Sequence, residues 1–296
     1  MLNATPGPDR ALTEAAADDE WFARWRRQEL GRVEAAGLCY LDYTGTALYA
    51  ASLVEADAER LKGAVLGNPH SEHRASLDST TDLEHAREAI LDFLNADPAE
   101  FEVVITANAS GACRLVGEGF PFGPDRGLLL TADNHNSVNG IREFARARGA
   151  PVVTIPLDPS LRLSGAEAAL RRERGAGGAL FGFPAQSNFS GVRHDLSLVS
   201  LAQELGYRVL LDAAALLPTS NLDLRRLRPD FLALSLYKIT GYPSGVGALV
   251  ARSEALAELT CPWFSGGTVN WVTTAPARHR LREGGARFED GTPPFL

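Results

Sequence analysis

From residue 102 onward the chain alternates short apolar runs with helix-patterned stretches, and this alternation constrains the fold more than any other feature. The runs are Glu102–Thr106, Gly127–Thr131, Pro151–Ile155, Gly178–Phe183, Arg208–Asp212, Asp230–Ser235 and Val246–Ala251. Helical patterning falls near Ser110, over Asn136–Arg148, around Ala166–Arg174 and over Leu196–Leu205. Each strand–helix–strand unit returns the chain in its original direction, so repetition builds a mostly parallel sheet with helices on both faces. The predicted fold class is α/β, a mostly parallel seven-stranded sheet sandwiched by helices.

Upstream, Ala11–Ala36 reads as a polar-rich helix with Trp21, Phe22 and Trp25 on one apolar face. Tyr40–Thr46 reads as a short strand entering a turn, and Leu53–Val65 as a helix ended by Gly67-Asn-Pro-His70. Asp82–Leu94 is an amphipathic helix closed by Asn95-Ala-Asp-Pro98. The expected division is an N-terminal helix and arm over 1–50 and a large domain over 51–296. No repeat or interdomain linker interrupts it.

The 296 residues are 45 % hydrophobic and 22 % charged, enough to build a substantial core. A net charge of −8 argues against nucleic acid or an anionic membrane as the main partner. The arginine clusters Arg171–Arg174 and Arg225–Arg228 read as solvated faces. No apolar stretch is long enough for a membrane span, and Met1–Pro8 lacks the pattern of a secretory leader. Cys39, Cys113 and Cys261 are scattered, without metal-ligand spacing, and read as reduced core thiols of a cytoplasmic protein.

Ligand sites of parallel sheets lie at the carboxyl ends of the strands. Chemically capable residues recur there: Thr106-Ala-Asn-Ala-Ser110, Asn134-His-Asn136, Gln186-Ser-Asn188, Asp212 and Ser235–Lys238. Lys238 is one of two lysines, with Lys62, against 27 arginines. Lysine, unlike arginine, offers an amine that deprotonates and condenses with an aldehyde. Lys238 therefore reads either as the anchor of pyridoxal 5′-phosphate (PLP) or as an ordinary strand-end cation.

The other requirements of that cofactor have candidates. Its ring nitrogen stays protonated beside a carboxylate; Asp212 fits, with helix capping as its alternative. Its phosphate seeks backbone N–H groups at a helix N-terminus; the small residues Ala109 and Ser110 follow a strand, and the Ser235 and Thr268 hydroxyls are further candidates. His135 either stacks on the ring or is satisfied within its loop. Asn188 and Gln186 either meet the ring's phenolic oxygen or form turns. His70 is a weaker candidate for the mouth of the site. His85, His194 and His279 read as surface or capping residues. No competing catalytic set or metal motif is present in the sequence.

Together these residues resemble the class V aminotransferase group of fold-type I PLP enzymes, which includes the cysteine desulfurases. Within it, the desulfurase-like domain of molybdenum cofactor sulfurases is most similar. The resemblance is carried in order by Tyr40-Leu-Asp-Tyr-Thr-Gly, Gly67-Asn-Pro-His-Ser, Thr106-Ala-Asn-Ala-Ser-Gly-Ala, Asp133-Asn-His-Asn-Ser-Val, Phe183-Pro-Ala-Gln-Ser-Asn-Phe-Ser-Gly, Leu211-Asp-Ala-Ala-Ala, Leu234-Ser-Leu-Tyr-Lys-Ile-Thr-Gly, Ser265-Gly-Gly-Thr and Phe288-Glu-Asp-Gly-Thr. It implies that Lys238 is the cofactor lysine, Asp212 the pyridinium partner and His135 the stacking residue. It further implies Ala109 and Ser110 at the phosphate, Asn188 near the phenolic oxygen, and Thr268 reaching the phosphate of a neighbouring subunit in a homodimer. Ala215 departs from a glutamine common in desulfurases.

Members of the group continue into a small C-terminal domain carrying the substrate-carboxylate arginine and, in desulfurases, the sulfur-accepting cysteine. Neither is matched here. The expected activity is PLP-dependent, most simply C–S cleavage of a cysteine-like amino acid, with a separate domain or polypeptide supplying the small domain or acceptor cysteine. The alternatives are β-elimination or transamination, a non-catalytic scaffold that keeps the fold, or a piece of a longer or split enzyme.

Overall fold

The computed structural model describes residues 8–173 and 178–296, with side chains in the first helix placed from Asp19 onward. The readings made on residues 1–7 and on Arg174 lie outside the described residues. Helices α1 (Pro8–Ala35), α2 (Ala51–Gly63) and α3 (Arg74–Phe93) come first. Then follow β1 (Phe101–Thr106), α4 (Ala109–Gly119), β2 (Leu128–Thr131), α5 (Asn136–Asn139), α6 (Ile141–Ala147), β3 (Val152–Ile155), α7 (Ala166–Arg172) and β4 (Leu180–Pro184). The succession continues through α8 (Ser197–Glu204), β5 (Arg208–Asp212), β6 (Phe231–Ser235), α9 (Leu236–Thr240), β7 (Gly247–Arg252) and α10 (Ser253–Glu258). A hairpin of β8 (Val269–Thr274) and β9 (Ala277–Leu281) and a 3-10 turn over Gly284–Phe288 follow.

The first seven strands form one sheet in the order β1-β7-β6-β5-β4-β2-β3. Strands β2 to β6 run parallel, and β7 is antiparallel to both β1 and β6. The expected α/β architecture is thus present, with its predicted seven strands. Alternate side chains feed opposite faces: Leu232 and Leu234 enter one core cluster, Phe231 and Ala233 the other. Such strands are apolar throughout because both faces are covered, and each fully buried Leu or Phe contributes about 1.5–3 kcal/mol.

Among the described residues strand β1 has a single strand neighbour, and its outer edge is covered differently. Glu289 Oε1 accepts the Ile105 N–H at 2.7 Å, and Glu102 Oε2 accepts the Gly285 N–H at 2.7 Å. The closing segment therefore shields an edge that would otherwise present free backbone groups.

Several local expectations are corrected. Residues 40–46 form no strand: the Tyr40 hydroxyl donates to the Thr46 carbonyl at 2.9 Å, and the chain turns over 43–45. Helix α3 begins well before Asp82, because Ser79, Thr80 and Thr81 donate to carbonyls four residues back in a stretch without apolar periodicity. The helix expected over Asn136–Arg148 is divided at Gly140. Cys39 is exposed and Cys261 half-buried, so Cys113 alone is a core thiol. His194 is buried against Asp133 rather than lying at the surface.

Candidate active site

The carboxyl ends of β4, β5 and β6 and the first turn of α4 enclose a cavity of about 230 Å³. Seven of the eight predicted site residues line it: Ala109, Ser110, His135, Asn188, Asp212, Ser235 and Lys238. They come from the ends of five strands, so the sheet converts residues scattered over 130 positions of sequence into one constellation.

One wall is the N-terminus of α4. Asn108 caps the helix, its side chain accepting the Gly111 N–H at 2.9 Å. The Ala109 N–H donates to Ser235 Oγ at 2.9 Å, which pins this turn to the end of β6. The Ser110 N–H, at the second helical position, meets no acceptor among the described residues and stays free for an anion. The approach is close because Gly247 lies directly beneath: a Cβ there would stand 2.5 Å from Asn108 Cα.

Ser110 Oγ is 2.5 Å from Ser137 Oγ, which is 2.9 Å from His135 Nδ1. The Ser137 N–H also points at Nδ1, at 3.2 Å. Nδ1 therefore serves as an acceptor, which places a ring proton on Nε2. The ring is exposed at the cavity, with hydrogen bonds to its own loop alone.

Asp212 is 7 % exposed, and Oδ1 accepts the Ala214 N–H at 3.0 Å. Burial pushes its carboxyl above the usual range, although the Ala214 N–H, His135 and the nearby Lys238 ammonium all favour the charged form. Lys238 sits in α9, which ends at Gly241 in the left-handed region (φ 77°). A Cβ at Gly241 would meet Tyr49 N at 2.4 Å, so only glycine lets the 47–49 segment lie against the lysine-bearing turn. Ala47 N donates to the Tyr237 carbonyl at 3.3 Å, and Thr46 Oγ1 does so at 3.2 Å.

Two sequence candidates lie elsewhere. Thr268 is buried in its own turn, bonded to Ser265, and lines an adjoining cavity of about 260 Å³ with Cys261 and Arg287. His70 does not reach the lysine cavity; its Nε2 lies 2.9 Å from the Gly291 carbonyl. The residues not singled out from sequence are Asn108, Ser137 and Tyr237, with Ser244 and Gly245 at the rim. Asn108 carried a readable signal as a helix-capping residue after an apolar run; Ser137 and Tyr237 carried none. No helix among the described residues is long and apolar enough to cross a membrane.

The donor set fits PLP. The free N–H of α4 suits a phosphate, the buried Asp212 suits a ring cation, and an amine stands in the same cavity. Residues 39–296 match the family described as aminotransferase class V. Molybdenum cofactor sulfurase from Solanum lycopersicum is 35 % identical over 291 residues, covering 87 % of this chain and 36 % of that protein. The sulfurase from Drosophila grimshawi is 38 % identical over 281 residues, again covering 87 % and 36 %. The chain thus spans a little over a third of the length of these curated relatives. Among solved structures, the apo cysteine desulfurase from Thermococcus onnurineus NA1 superposes with a TM-score of 0.79 at 26 % identity, covering 99 % of this chain and 68 % of that one. The cysteine desulfurase CsdA from Escherichia coli gives 0.76 at 25 % identity, covering 92 % and 68 %.

Proposed function

The chain belongs to the aminotransferase class V family, and on that footing we propose that it is a PLP-dependent enzyme acting on an amino acid, cleaving the C–S bond of a cysteine-like substrate. The observation that carries this reading is the convergence of Lys238, Asp212, His135 and the α4 N-terminus on one cavity. The similarity to molybdenum cofactor sulfurases and cysteine desulfurases supports the choice of substrate class.

When bound, the cofactor supplies an aldehyde that condenses with amines and a protonated ring that draws electrons from the substrate α-carbon. The protein's own groups divide the remaining work. Lys238 would anchor the cofactor through its amine and would serve as the base that moves the proton of the substrate α-carbon. Asp212 holds the ring nitrogen protonated, and its burial strengthens that pairing. Ser110 and the first turn of α4 bind the phosphate, with Ser235 bracing the turn from below. His135 would stack on the ring, and Asn188 would meet the phenolic oxygen. The balanced reaction is L-cysteine plus an acceptor thiol giving L-alanine plus a persulfide. The Cβ–S bond breaks, an S–S bond forms, a proton replaces sulfur at Cβ, and no external oxidant is required.

No cysteine lines the cavity. The acceptor thiol therefore comes from another domain or polypeptide; release of sulfur by β-elimination without an acceptor is the second reading. A homodimer in which Thr268 of the partner subunit reaches the phosphate accounts for the separation of Thr268 from this cavity. The three free cysteines favour a cytoplasmic setting.

The test is direct. Protein mixed with PLP develops a visible imine band, and borohydride fixes the cofactor to Lys238. A Lys238→Ala variant that keeps the band would overturn the assignment. Sulfide, alanine and pyruvate assays with L-cysteine and a thiol then separate persulfide transfer, which yields alanine, from elimination, which yields pyruvate.

A further inference from the structure

Asp133 and His194 lie outside the cavity lining and 61 positions apart, yet they join the two loops that frame it. We propose that this buried pair is a positioning bracket, setting the spacing between His135 and Asn188 across the cofactor site; the inference rests on the cofactor reading above.

Asp133 Oδ2 lies 2.8 Å from His194 Nε2, with the two side chains 1 % and 3 % exposed. Asp133 stands two residues before His135 on the loop leaving β2. His194 is on the return limb of the loop leaving β4, whose outgoing limb carries Gln186 and Asn188. That loop is closed on itself: Ser187 N donates to the Val192 carbonyl at 2.9 Å, and His194 N to the Ala185 carbonyl at 3.1 Å. Ala185 N in turn donates to the Asp212 carbonyl at 2.8 Å. A continuous path therefore runs from the His135 loop through the pair to the end of β5. Asn134 adds a parallel tie, donating to the Gly182 carbonyl at 2.9 Å.

The functional side chains have few restraints of their own. Among the described residues the His135 ring is bonded only to Ser137, and Asn188 is exposed at its loop tip. Their positions are inherited from the backbone behind them. Burial alone raises the Asp133 carboxyl, but the hydrogen bond and charge of His194 outweigh it and hold the group below the usual range. Asp133 is thus an anion, and His194 Nε2–H is the donor. Such a buried pair gains little net stability, because desolvation offsets attraction. What it supplies is a fixed distance and orientation between two loops.

The test compares three variants of the chain. His194→Phe keeps bulk but removes the donor, His194→Gln keeps an N–H donor, and Tyr207→Phe removes an unrelated buried hydrogen bond, from the Tyr207 hydroxyl to the Leu170 carbonyl. The bracket predicts that His194→Phe weakens PLP binding about tenfold or more and alters the visible circular dichroism of the bound cofactor. His194→Gln recovers most of both, and Tyr207→Phe lowers the melting temperature without changing either. In cofactor-free protein, amide exchange over 133–137 and 186–190 speeds up together in His194→Phe. The bracket is refuted if His194→Phe affects binding no more than Tyr207→Phe does, or if exchange rises in one loop alone. Should His194→Phe not fold, Asp133→Asn carries the same comparison. Wild-type protein that takes up no PLP sinks the cofactor reading instead, and the exchange measurement, which needs no cofactor, still decides the bracket.

Discussion

Gly247→Ala is the substitution with the most readable consequence. The added Cβ would lie 2.5 Å from Asn108 Cα, 2.6 Å from Asn108 C and 2.7 Å from the Leu234 carbonyl oxygen. All three are backbone atoms, so no side chain can swing aside. Carbon pairs settle near 3.5–4.0 Å, so the 106–109 loop and β7 must part by about 1 Å. Overpacking of this kind costs about 1–3 kcal/mol. In a chain of this size that corresponds to a melting-temperature loss of roughly 2–5 °C. The displaced element is the turn that offers the Ser110 N–H and holds Ala109 N on Ser235 Oγ, and a misplacement of about 1 Å in a binding group costs up to about 100-fold in function. The expected result is a lower melting temperature without cofactor together with PLP affinity reduced by about tenfold or more. Gly31→Ala is the control: it lies in α1 with nothing within 4 Å of the new Cβ, and should gain about 0.5–1 kcal/mol with unchanged affinity. A Gly247→Ala protein that melts and binds like the wild type would refute the close-approach argument.

Two further perturbations follow from the geometry. Asp212 has a folded-state carboxyl raised above its ordinary 3.8 by burial, so the cofactor-free fold is favoured below that value and loses stability as pH rises through and beyond it. Asp212→Asn should flatten this slope in urea midpoints taken between pH 4 and 7 while weakening PLP binding, and an unchanged slope would contradict the burial argument. Glu289 is 10 % exposed and joins Arg87, at 2.5 Å, to the Ile105 N–H on the edge of β1. Glu289→Ala should cost about 2–4 kcal/mol, read as a lower urea midpoint at constant m, and Glu289→Gln distinctly less because it keeps the acceptor for Ile105.

The sheet was legible because its strands are buried on both faces and therefore apolar without interruption, as in Phe231–Ser235. The site was legible for the same reason, since strand ends in such a sheet converge: Asp212 and Lys238 could be paired before any coordinates were known. What stayed hidden depended on contacts between distant segments. The β8–β9 strands are mostly exposed and show no apolar alternation. Helix α3 starts within a run of serines and threonines that satisfy their hydroxyls on its own backbone. His194 gives no sign in sequence that Asp133, 61 positions away, will bury it. Thr268 was grouped with the site through the family resemblance, and within one chain the fold seats it in the neighbouring cavity.

The antiparallel strand β7 also sets an order of events. Strand β1 finds its only strand neighbour about 150 residues later in the chain, a closure of high contact order. Its free edge then waits for Glu289. During synthesis, the strands bearing His135, Asp212 and Lys238 can assemble into a parallel core while β1 and the helix it launches remain unpaired. The α4 end of the cavity is thus the last part to be built, and a nascent chain arrested before residue 247 would hold Lys238 without the helix N-terminus that faces it across the cavity.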